Sequence, residues 1–459
     1  MWRNSHNGKK EKTIMKKRWL KPVVYIFCFA ATLLLIIVNI ANPVHDDFST
    51  RFIFPVMAIL ALPLFLKYGF YMLLAPWYRH VTNRRLKQYN GASFFPGVSV
   101  IIPAWNEEIG IINTIKSAAA SDYGNLEIIV VNDGSTDNTD IVVRKFLEEY
   151  GNNAGGPEII YRNQPNGGKA SALNTGIALS RGEIIITIDA DSIMKKNAVS
   201  AFVRYFHNPQ VMSVAGNIKV GNTRHITGTV QHLEYLVTFY MKKVESIMDA
   251  VYIVGGAAAA YRREIFDKIG FFNQNSITED IEMSMKILEA GYKIHYAEDA
   301  VVYTEGAGNL RDLIKQRLRW KRGRFSAFYT FRKLFFSREK KHNKLLTFFI
   351  LPFGVLAEVK LLFELFFLAV LFLYSLFTSN FTILLMCAMV SSTIFLVKSL
   401  FFRKTSRLNL YPFIFIGWLL FYIAAFVEHV ALIRTIWGIL NKQTIKWQSW
   451  QRKGVFEDE

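Results

Sequence analysis

Cysteine is nearly absent from this chain. Only two occur in 459 residues, Cys28 and Cys387, and both lie inside apolar runs. They offer neither a disulfide framework nor a cysteine metal site. Charged residues are also scarce, at 20%, and the sequence has no internal repeat or low-complexity linker. Because 51% of the residues are hydrophobic, the composition excludes a disordered chain and argues against a simple soluble domain.

Acidic residues are too few to balance the basic ones. There are 36 Asp and Glu against 55 Lys and Arg, which gives a net charge of +19. A basic chain can bind nucleic acid. Here the basic residues collect beside apolar runs, so a lipid bilayer explains them better, and we expect no nucleic-acid partner.

Long uncharged runs occur near both ends of the chain. Residues 23–41 and 52–77 carry a single charge, Lys67, and a spanning helix needs roughly 20 apolar residues. Two N-terminal spans are therefore predicted. The later runs are residues 345–357, 365–397 and 411–427. They predict a short interfacial helix and then about three spans, with a hairpin at residues 378–380.

The basic residues also predict an orientation in the membrane. Six of them cluster between residues 9 and 18 near the N-terminus: Lys9, Lys10, Lys12, Lys16, Lys17 and Arg18. By the positive-inside rule, the N-terminus and the middle of the chain lie in the cytoplasm, and the protein is a multi-pass protein of the cell membrane. The basic tail favours the inside, but counting spans puts it outside, so the side of the C-terminus stays open. The predicted segments are residues 1–78 (basic N-terminus and two spans), 79–343 (cytoplasmic domain), 344–440 (interfacial helix and about three spans) and 441–459 (polar tail).

The middle domain alternates apolar strands with helices. "GVSVIIPAWNEE", "LEIIVVNDGSTDNT" and "GEIIITIDADS" each read as a buried strand that ends in polar residues. Helical stretches at residues 109–120, 137–149 and 169–180 separate or follow them. This pattern predicts an α/β domain with a mostly parallel, doubly wound sheet.

In such sheets, ligands bind beyond the carboxyl ends of the strands. Five polar residues stand at those ends: Asn106, Glu107, Asp133, Asp189 and Asp191. The two carboxylates of the D-x-D triplet can converge on a hard divalent cation that also binds phosphate. Asp133 can accept from a nucleotide base or ribose, or it can form an Asx turn or cap the helix that follows.

Two further segments carry polar residues beside glycines or a helix start. "NGGKASALNTG" offers Lys169 to a phosphate but has the wrong spacing for a Walker A loop. "YIVGGAAAAYRRE" either packs tightly or leaves room for a flat substrate. "NSITED" places Glu279 and Asp280 at a helix start, where acidic residues serve catalysis or only favour the helix dipole.

A basic helix at residues 314–325 follows. Gln316, Arg319 and Trp320 stand at i, i+3 and i+4 and so share a face, which continues to Gly323, a residue with no side chain to obstruct a ligand. A guanidinium suits phosphate, and an indole suits the apolar side of a pyranose. A second, apolar face would dock the helix through Leu310, Ile314 and Leu318. A third face, predicted to meet lipid headgroups, consists of Arg317, Lys321 and Arg324.

Seven motifs occur in order between residues 100 and 320: "VIIPAWNEE", "VNDGS", "GGKASALN", "IDADS", "GGAAAAYRR", "TED" and "QRLRW". This set resembles glycosyltransferase family 2 and its processive membrane synthases of cellulose, chitin, hyaluronan and poly-N-acetylglucosamine. The layout is most similar to bacterial poly-β-1,6-N-acetylglucosamine synthases. "KRGRF" after the last motif and "VVYTEGAGN" depart from that group.

The resemblance implies a GT-A-like nucleotide-sugar transferase domain with a helical transmembrane bundle. The implied donor site consists of Asn106, Glu107, Asp133, Lys169, Asp189 and Arg319, with Asp133 on the uridine. Asp189 and Asp191 would hold Mg²⁺ or Mn²⁺, and Asp280 would be the general base. The acceptor residues would be Glu279, Gln316 and Trp320.

The expected reaction is inverting transfer from a UDP-sugar, UDP-N-acetylglucosamine, to a growing β-linked polysaccharide that the protein also secretes. In this family "RW" is associated with processivity. The expected partners are the donor, a polysaccharide or oligosaccharide acceptor and the bilayer, and a small membrane subunit stays open. The alternatives are a non-processive transferase with a lipid-linked acceptor and a non-catalytic transporter or scaffold.

Overall fold

Eight short segments of the chain pair into one sheet. The computed structural model describes residues 54–88, 94–151, 155–223, 225–379, 381, 413–443 and 454–455. The strands are β1 Val98–Ala104, β2 Leu126–Asn132, β3 Glu158–Asn163, β4 Ile184–Ile188, β5 Ser192–Met194, β6 Val211–Val220, β7 Ala258–Arg262 and β8 Lys293–Thr304.

The sheet is mixed, in the order β3-β2-β1-β4-β7-β6-β8-β5. Strands β3, β2, β1 and β4 are parallel; the sequence predicts this for β1, β2 and β4, whereas β3 was not predicted. Strand β7 then runs antiparallel to both β4 and β6, and β5 runs antiparallel to β8. Strands β6 and β8 are parallel to each other. The prediction of a mostly parallel sheet therefore holds for β3, β2, β1 and β4 and for the pair β6 and β8. It misses the antiparallel pairings of β7 and β5, because an apolar run does not reveal which strand lies beside it.

Helices cover the sheet and extend beyond it. In chain order they are α1 Phe54–Leu74, α2 Tyr78–Lys87, α3 Ile111–Ala119, α4 Thr139–Gly151, α5 Lys169–Leu179, α6 Ala198–Val203, α7 Ile226–Ile247, α8 Glu264–Ile269, α9 Glu279–Glu289, α10 Leu310–Thr330, α11 Leu351–Thr378 and α12 Phe413–Leu440. Strands β1 and β4 are buried throughout, which explains why both are largely apolar on both faces. Helix α5 packs so closely that a Cβ at Gly176 would lie 2.4 Å from Ile101 Cγ2.

The chain divides into two units, residues 1–79 with 355–425 and residues 80–354 with 426–459. Within the described residues, two helical stretches have the length and composition to cross a membrane, Leu346–Thr378 and Leu419–Leu440. The runs at residues 23–41 and 382–397 lie outside the described residues.

One continuous helix, α11, occupies the region where the sequence predicts an interfacial helix followed by a span. Pro352 does not interrupt it, because proline is tolerated in the first turn of a helix. The charges between the two apolar runs are accommodated within the helix, since Lys360 Nζ lies 2.5 Å from Glu364 Oε1 one turn away. The helix ends at Thr378, where the sequence predicts a turn.

A salt-bridge cluster connects α2 to the end of α7. Arg85 Nη1 lies 2.9 Å from Asp249 Oδ1, and Arg85 also donates to the carbonyls of Ser246 and Ile247. Lys293 and His295 of β8 bind the same carboxylate at 3.0 Å and 2.9 Å. This basic segment, predicted to flank a span, is thereby fixed to the α/β unit.

Two residues of the tail also lie against the α/β unit. The Gly454 N–H donates to Glu305 Oε2 at 3.1 Å. Val455 packs over Gly221, where a Cβ would lie 2.4 Å from Val455 Cγ1.

Candidate active site

The carboxyl ends of β1, β2 and β4 bring the predicted donor residues to one edge of the sheet. Because these strands are parallel neighbours, the loops that follow them lie side by side. Asn106, Asp133 and Asp189 are the polar residues that these loops carry.

Asp133 fixes the glycine loop that precedes α5. Its Oδ1 accepts from Gln164 Nε2 at 2.7 Å and from the Gly167 N–H at 3.0 Å, and its Oδ2 accepts from the Gly168 N–H at 2.7 Å. Gly168 has φ of 86°, a conformation that favours glycine. Asp133 neither forms the Asx turn nor caps the helix that the sequence leaves open. Asn132 accepts from the Ser135 N–H instead, and Asp137 accepts from the Thr139 N–H.

Asn106 and Glu107 connect the β1 loop to the β2 loop. Asn106 Oδ1 accepts from the Thr136 N–H at 2.8 Å, and its own N–H donates to Ser135 Oγ at 2.9 Å. The Glu107 N–H donates to Thr139 Oγ1 at 2.9 Å. Both residues therefore hold the loop after β1 against the loop after β2. Their contact with a nucleotide stays a prediction.

Lys169 lies at the centre of an ion-pair network. Its Nζ is 2.5 Å from Asp189 Oδ1 and 3.4 Å from Glu279 Oε1. Burial alone would lower the pKa of Lys169, but these carboxylates outweigh it and raise the pKa. Burial raises the pKa of Glu279, with Lys169 and Arg319 opposing the rise and Asp280 adding to it. Residues distant in sequence, each predicted separately, thus meet in one network.

Asp280 holds its carboxylate at the N-terminus of α9. Its Oδ2 accepts from the Gly256 N–H at 2.7 Å, and its Oδ1 accepts from the Ile281 N–H at 2.8 Å. A Cβ at Gly256 would lie 3.0 Å from Lys169 Nζ and 3.4 Å from Asp280 Oδ2. The glycine motif therefore lets the backbone approach the charged cluster.

Asp191 is buried beside β8 and is a candidate metal ligand together with Asp189. Its Oδ1 accepts from Ser192 Oγ at 3.1 Å and from Thr304 Oγ1 at 3.2 Å. Within the described residues, no group of three or more His, Cys, Asp or Glu side chains is arranged to hold a metal ion.

The donor set nevertheless fits Mg²⁺ or Mn²⁺. Such ions are bound through one or two carboxylates, with substrate phosphates and water completing the shell. The carboxylates of this region, Asp189, Asp191, Glu279 and Asp280, outnumber the nearby cations Lys169, Arg319 and Lys242. This excess of acidic groups favours a divalent cation.

Helix α10 places Gln316, Arg319 and Trp320 near these groups. Gln316 is buried, and its Oε1 has no hydrogen-bond partner among the residues that the structure describes. Arg319 lowers the pKa of Glu279 through its charge, which places its guanidinium near the acidic cluster. The Trp320 ring stacks on Tyr235, with centroids 6.5 Å apart and planes inclined by 30°.

Tyr235, which contacts Trp320, was not among the residues predicted for the site. It lies on α7, which carries none of the recognisable motifs. Burial raises the pKa of its hydroxyl to about 12, with Arg317 opposing the rise and the charges of Glu234, Asp191 and Asp189 adding to it. Tyr235 therefore stays protonated at neutral pH. Its spacing in an amphipathic helix gives no signal that distinguishes it from a core tyrosine.

Two residues predicted to meet lipid headgroups are buried instead. The side chains of Arg317 and Lys321 are only 5% and 8% exposed. Arg317 pairs with Glu234 at 2.7 Å and with Glu428 at 3.1 Å, and Lys321 pairs with Glu428 at 2.7 Å. The prediction of a lipid-facing stripe was wrong at these positions, because acidic groups from α7 and α12 meet this face.

Two other expectations about α10 also need correction. Gly323 does not leave room for a ligand, because a Cβ there would lie 2.1 Å from Thr278 Oγ1. Leu310 is exposed, and the helix docks through Leu313 and Ile314, which pack with Ala307 and Val427.

Comparisons with known proteins agree with this architecture. The family described as "Glycosyltransferase like family 2" matches residues 96–323. The poly-beta-1,6-N-acetyl-D-glucosamine synthase of Staphylococcus aureus (strain COL) is 32% identical over 230 residues, which are 50% of this chain and 54% of that protein. The synthase of Staphylococcus epidermidis is 30% identical over 229 residues, with the same shares. The match thus spans about half the length of these curated relatives.

A solved structure shares the fold. A mannosyltransferase from Pyrobaculum calidifontis, in complex with GDP-Man and Mn²⁺, has a TM-score of 0.51 and 18% identity, over 84% of this chain and 99% of that one. The mixed sheet is therefore of the GT-A-like kind that the resemblance implies. Through its domain at residues 96–323, the chain belongs to glycosyltransferase family 2.

Proposed function

We propose that this protein is an inverting membrane glycosyltransferase that adds sugar from UDP-N-acetylglucosamine to a growing β-linked polysaccharide. The observation that most supports this proposal is a cluster of charged side chains around Gly256, close to the helix that carries Trp320. The cluster consists of Lys169, Asp189, Glu279 and Asp280. The identity to synthases of poly-beta-1,6-N-acetyl-D-glucosamine supports the choice of sugar.

The donor would bind along the carboxyl edge of β1, β2 and β4. The loop that Asp133 fixes would receive the uridine, and Lys169 and Arg319 would face the diphosphate. Asp189 and Asp191 would hold Mg²⁺ or Mn²⁺, which when bound supplies positive charge against the leaving diphosphate. Lys169 forms an ion pair with Asp189, so the Lys169 ammonium already lies beside a carboxylate that would hold the metal ion.

Asp280 would act as general base. It would take the proton from an acceptor hydroxyl while that oxygen forms a bond to the anomeric carbon and the bond from that carbon to UDP breaks. One displacement inverts the configuration, so an α-linked donor yields a β-glycoside. Each Asp280 oxygen accepts one backbone N–H, an arrangement that holds the carboxylate in place and leaves lone pairs for the proton.

The acceptor sugar would lie against Trp320 and Tyr235, with Gln316 and Glu279 as polar contacts. The buried Gln316 Oε1 supports this placement, because it has no partner among the described residues and would gain one from a sugar hydroxyl. Location in the cell membrane with a cytoplasmic domain, and secretion through the chain's own helices, complete the proposal. The two candidate spans support it.

The test measures release of the nucleoside diphosphate by the full-length protein in nanodiscs with Mg²⁺ or Mn²⁺. The donors are a panel of UDP-sugars and GDP-mannose, and product size is measured in the same samples. UDP release with UDP-N-acetylglucosamine together with long polymer supports the proposal. A product of fixed small mass indicates the lipid-linked transferase. Turnover confined to GDP-mannose refutes the donor assignment, and no turnover with any donor and a supplied oligosaccharide refutes the catalytic one.

A further inference from the structure

A carboxylate on an apolar helix contacts the helix that bears the proposed acceptor platform. Glu428 lies on α12 between Val427 and Ala431, which are both fully buried. An ionised carboxylate in such a helix is costly unless cations pair with it. Its partners come from α10: Arg317 Nε lies 3.1 Å from Glu428 Oε1, and Lys321 Nζ lies 2.7 Å from Glu428 Oε2.

The Arg317 guanidinium is held on two sides by acidic groups. Glu428 binds its Nε, and Glu234 of α7 binds its Nη2 at 2.7 Å. The four side chains Glu234, Arg317, Lys321 and Glu428 carry two charges of each sign. Burial raises the pKa of Glu234, with Arg317 opposing the rise. Since a planar guanidinium has donors in a fixed fork, two carboxylates define its orientation closely.

The same guanidinium covers one face of the Trp320 ring. The Arg317 Cζ atom lies 4.2 Å from the Trp320 ring centroid. A cation at this distance from an indole is attracted to the ring face. Trp320 also stacks on Tyr235, at the acidic edge of the site. A chain of contacts thus runs from Glu428 through Arg317 to the Trp320 indole.

We propose that Glu428 is a positioning residue that holds Arg317 against Trp320, so that acceptor binding and polymer elongation depend on a carboxylate of an apolar helix. This inference rests on the proposed role of Trp320 as acceptor platform. It assigns no chemical step to Glu428. Donor binding would use the strand-end loops and Lys169, which lie on other elements than α10 and α12, together with Arg319 of α10.

The substitution Glu428→Gln tests the proposal because it keeps the size and removes the charge. Arg317 would then keep only Glu234 of its two carboxylates and Lys321 would lose its ion pair with Glu428, so Arg317 would move from its position over Trp320. We expect the KM for an acceptor oligosaccharide to rise about tenfold or more and the polymer to shorten, since a tenfold change needs only a small loss of interaction. UDP release to water without acceptor should stay within about twofold.

Two variants separate this role from a structural one. Glu364→Gln is the matched control, because Glu364 is also a carboxylate of an apolar helix but pairs with Lys360 of its own helix. It should elongate like the unmodified protein. Glu428→Asp restores the charge and should recover part of the polymer length. Normal elongation by Glu428→Gln, or equal loss of acceptor-free and acceptor-dependent turnover, overturns the proposal.

A spectroscopic readout stays valid even if the proposed function fails. The difference in emission between the unmodified chain and Trp320→Phe reports the environment of this indole. The same difference measured in the Glu428→Gln background should change in wavelength or intensity, because the guanidinium leaves the ring. An unchanged difference spectrum refutes the positioning role whether or not the protein transfers sugar.

Discussion

Replacing Asp280 by asparagine removes the proposed base, but it also alters two backbone contacts. Asp280 Oδ2 accepts from the Gly256 N–H at 2.7 Å, and Oδ1 accepts from the Ile281 N–H at 2.8 Å. An amide has one oxygen, so one of these N–H groups would face an NH₂ group and lose its acceptor. A lost hydrogen bond to a charged group costs about 1.5–3 kcal/mol. We therefore expect a less stable protein as well as a slower one.

The kinetic effect should exceed that loss of stability. A positioned general base contributes about 10²- to 10⁴-fold, or about 2.7–5.4 kcal/mol of barrier. The loss should appear in kcat with saturating donor and acceptor, because the base acts on the acceptor hydroxyl in the transition state. UDP affinity, measured by calorimetry, should stay within about twofold, since the strand-end loops that would bind the nucleotide keep their contacts.

Ser284→Ala provides a control with a similar loss of stability and an intact base. Ser284 Oγ accepts from the Val254 N–H at 3.1 Å and donates to the Asp280 carbonyl at 2.6 Å. Its removal leaves the Val254 N–H without this acceptor, at about 1–3 kcal/mol. Both variants are compared by thermal unfolding and UDP release in nanodiscs. If Ser284→Ala loses as much turnover as Asp280→Asn, or Asp280→Asn keeps more than about a tenth of the normal rate, Asp280 is not the base.

Three other substitutions test the charges and the packing of the site. Lys169→Met should raise the pKa of Glu279 further, because the charge of Lys169 opposes the rise. The folded variant then binds more protons than the unfolded one. Its melting temperature should therefore fall furthest below that of the unmodified protein at neutral pH, and the difference should shrink towards about pH 4. Burial alone would raise the pKa of Asp249, but its three basic neighbours hold that pKa well below its usual range. The ionised Asp249 carboxylate therefore stabilises the fold above about pH 4, and this contribution is lost as the pH falls. The difference in melting temperature between the unmodified protein and Asp249→Asn should narrow in acid. Gly323→Ala should destabilise the protein by about 1–3 kcal/mol through overpacking against Thr278, and Thr278→Ala in the same chain should restore part of the melting temperature; a melting temperature unchanged by Gly323→Ala would contradict this contact.

The parallel half of the sheet was readable from the sequence because its signals are local. Each of β1, β2 and β4 is largely apolar, and each is followed by polar residues. The alternation of these strands with helices predicts that they are parallel, and the change to polar residues marks where each strand ends. Asp133 and Asp189 were therefore predicted to lie at one edge of the sheet before their contacts were known.

The pairing partners of distant segments could not be read in the same way. Strand β7 lies between β4 and β6 although two other strands separate it from β4 in sequence. Arg317 is surrounded by basic residues in sequence, and its partner Glu234 is 83 residues away. A charged side chain on a helix predicts an exposed face only when no opposite charge from elsewhere meets it. Glu428, a carboxylate directly after an apolar run, was the one local signal of the buried cluster.

The two halves of the site are held by different kinds of contact, and this difference has a functional consequence. Backbone N–H groups of Gly167, Gly168 and Gly256 fix the carboxylates of Asp133 and Asp280. A side-chain substitution elsewhere does not remove those donors. Helix α10, which carries the proposed acceptor residues, is held by salt bridges between side chains, and a single substitution can remove any one of them. Substitution of Glu428, which lies on α12 and contacts α10, should therefore alter product length while the choice of donor sugar stays the same.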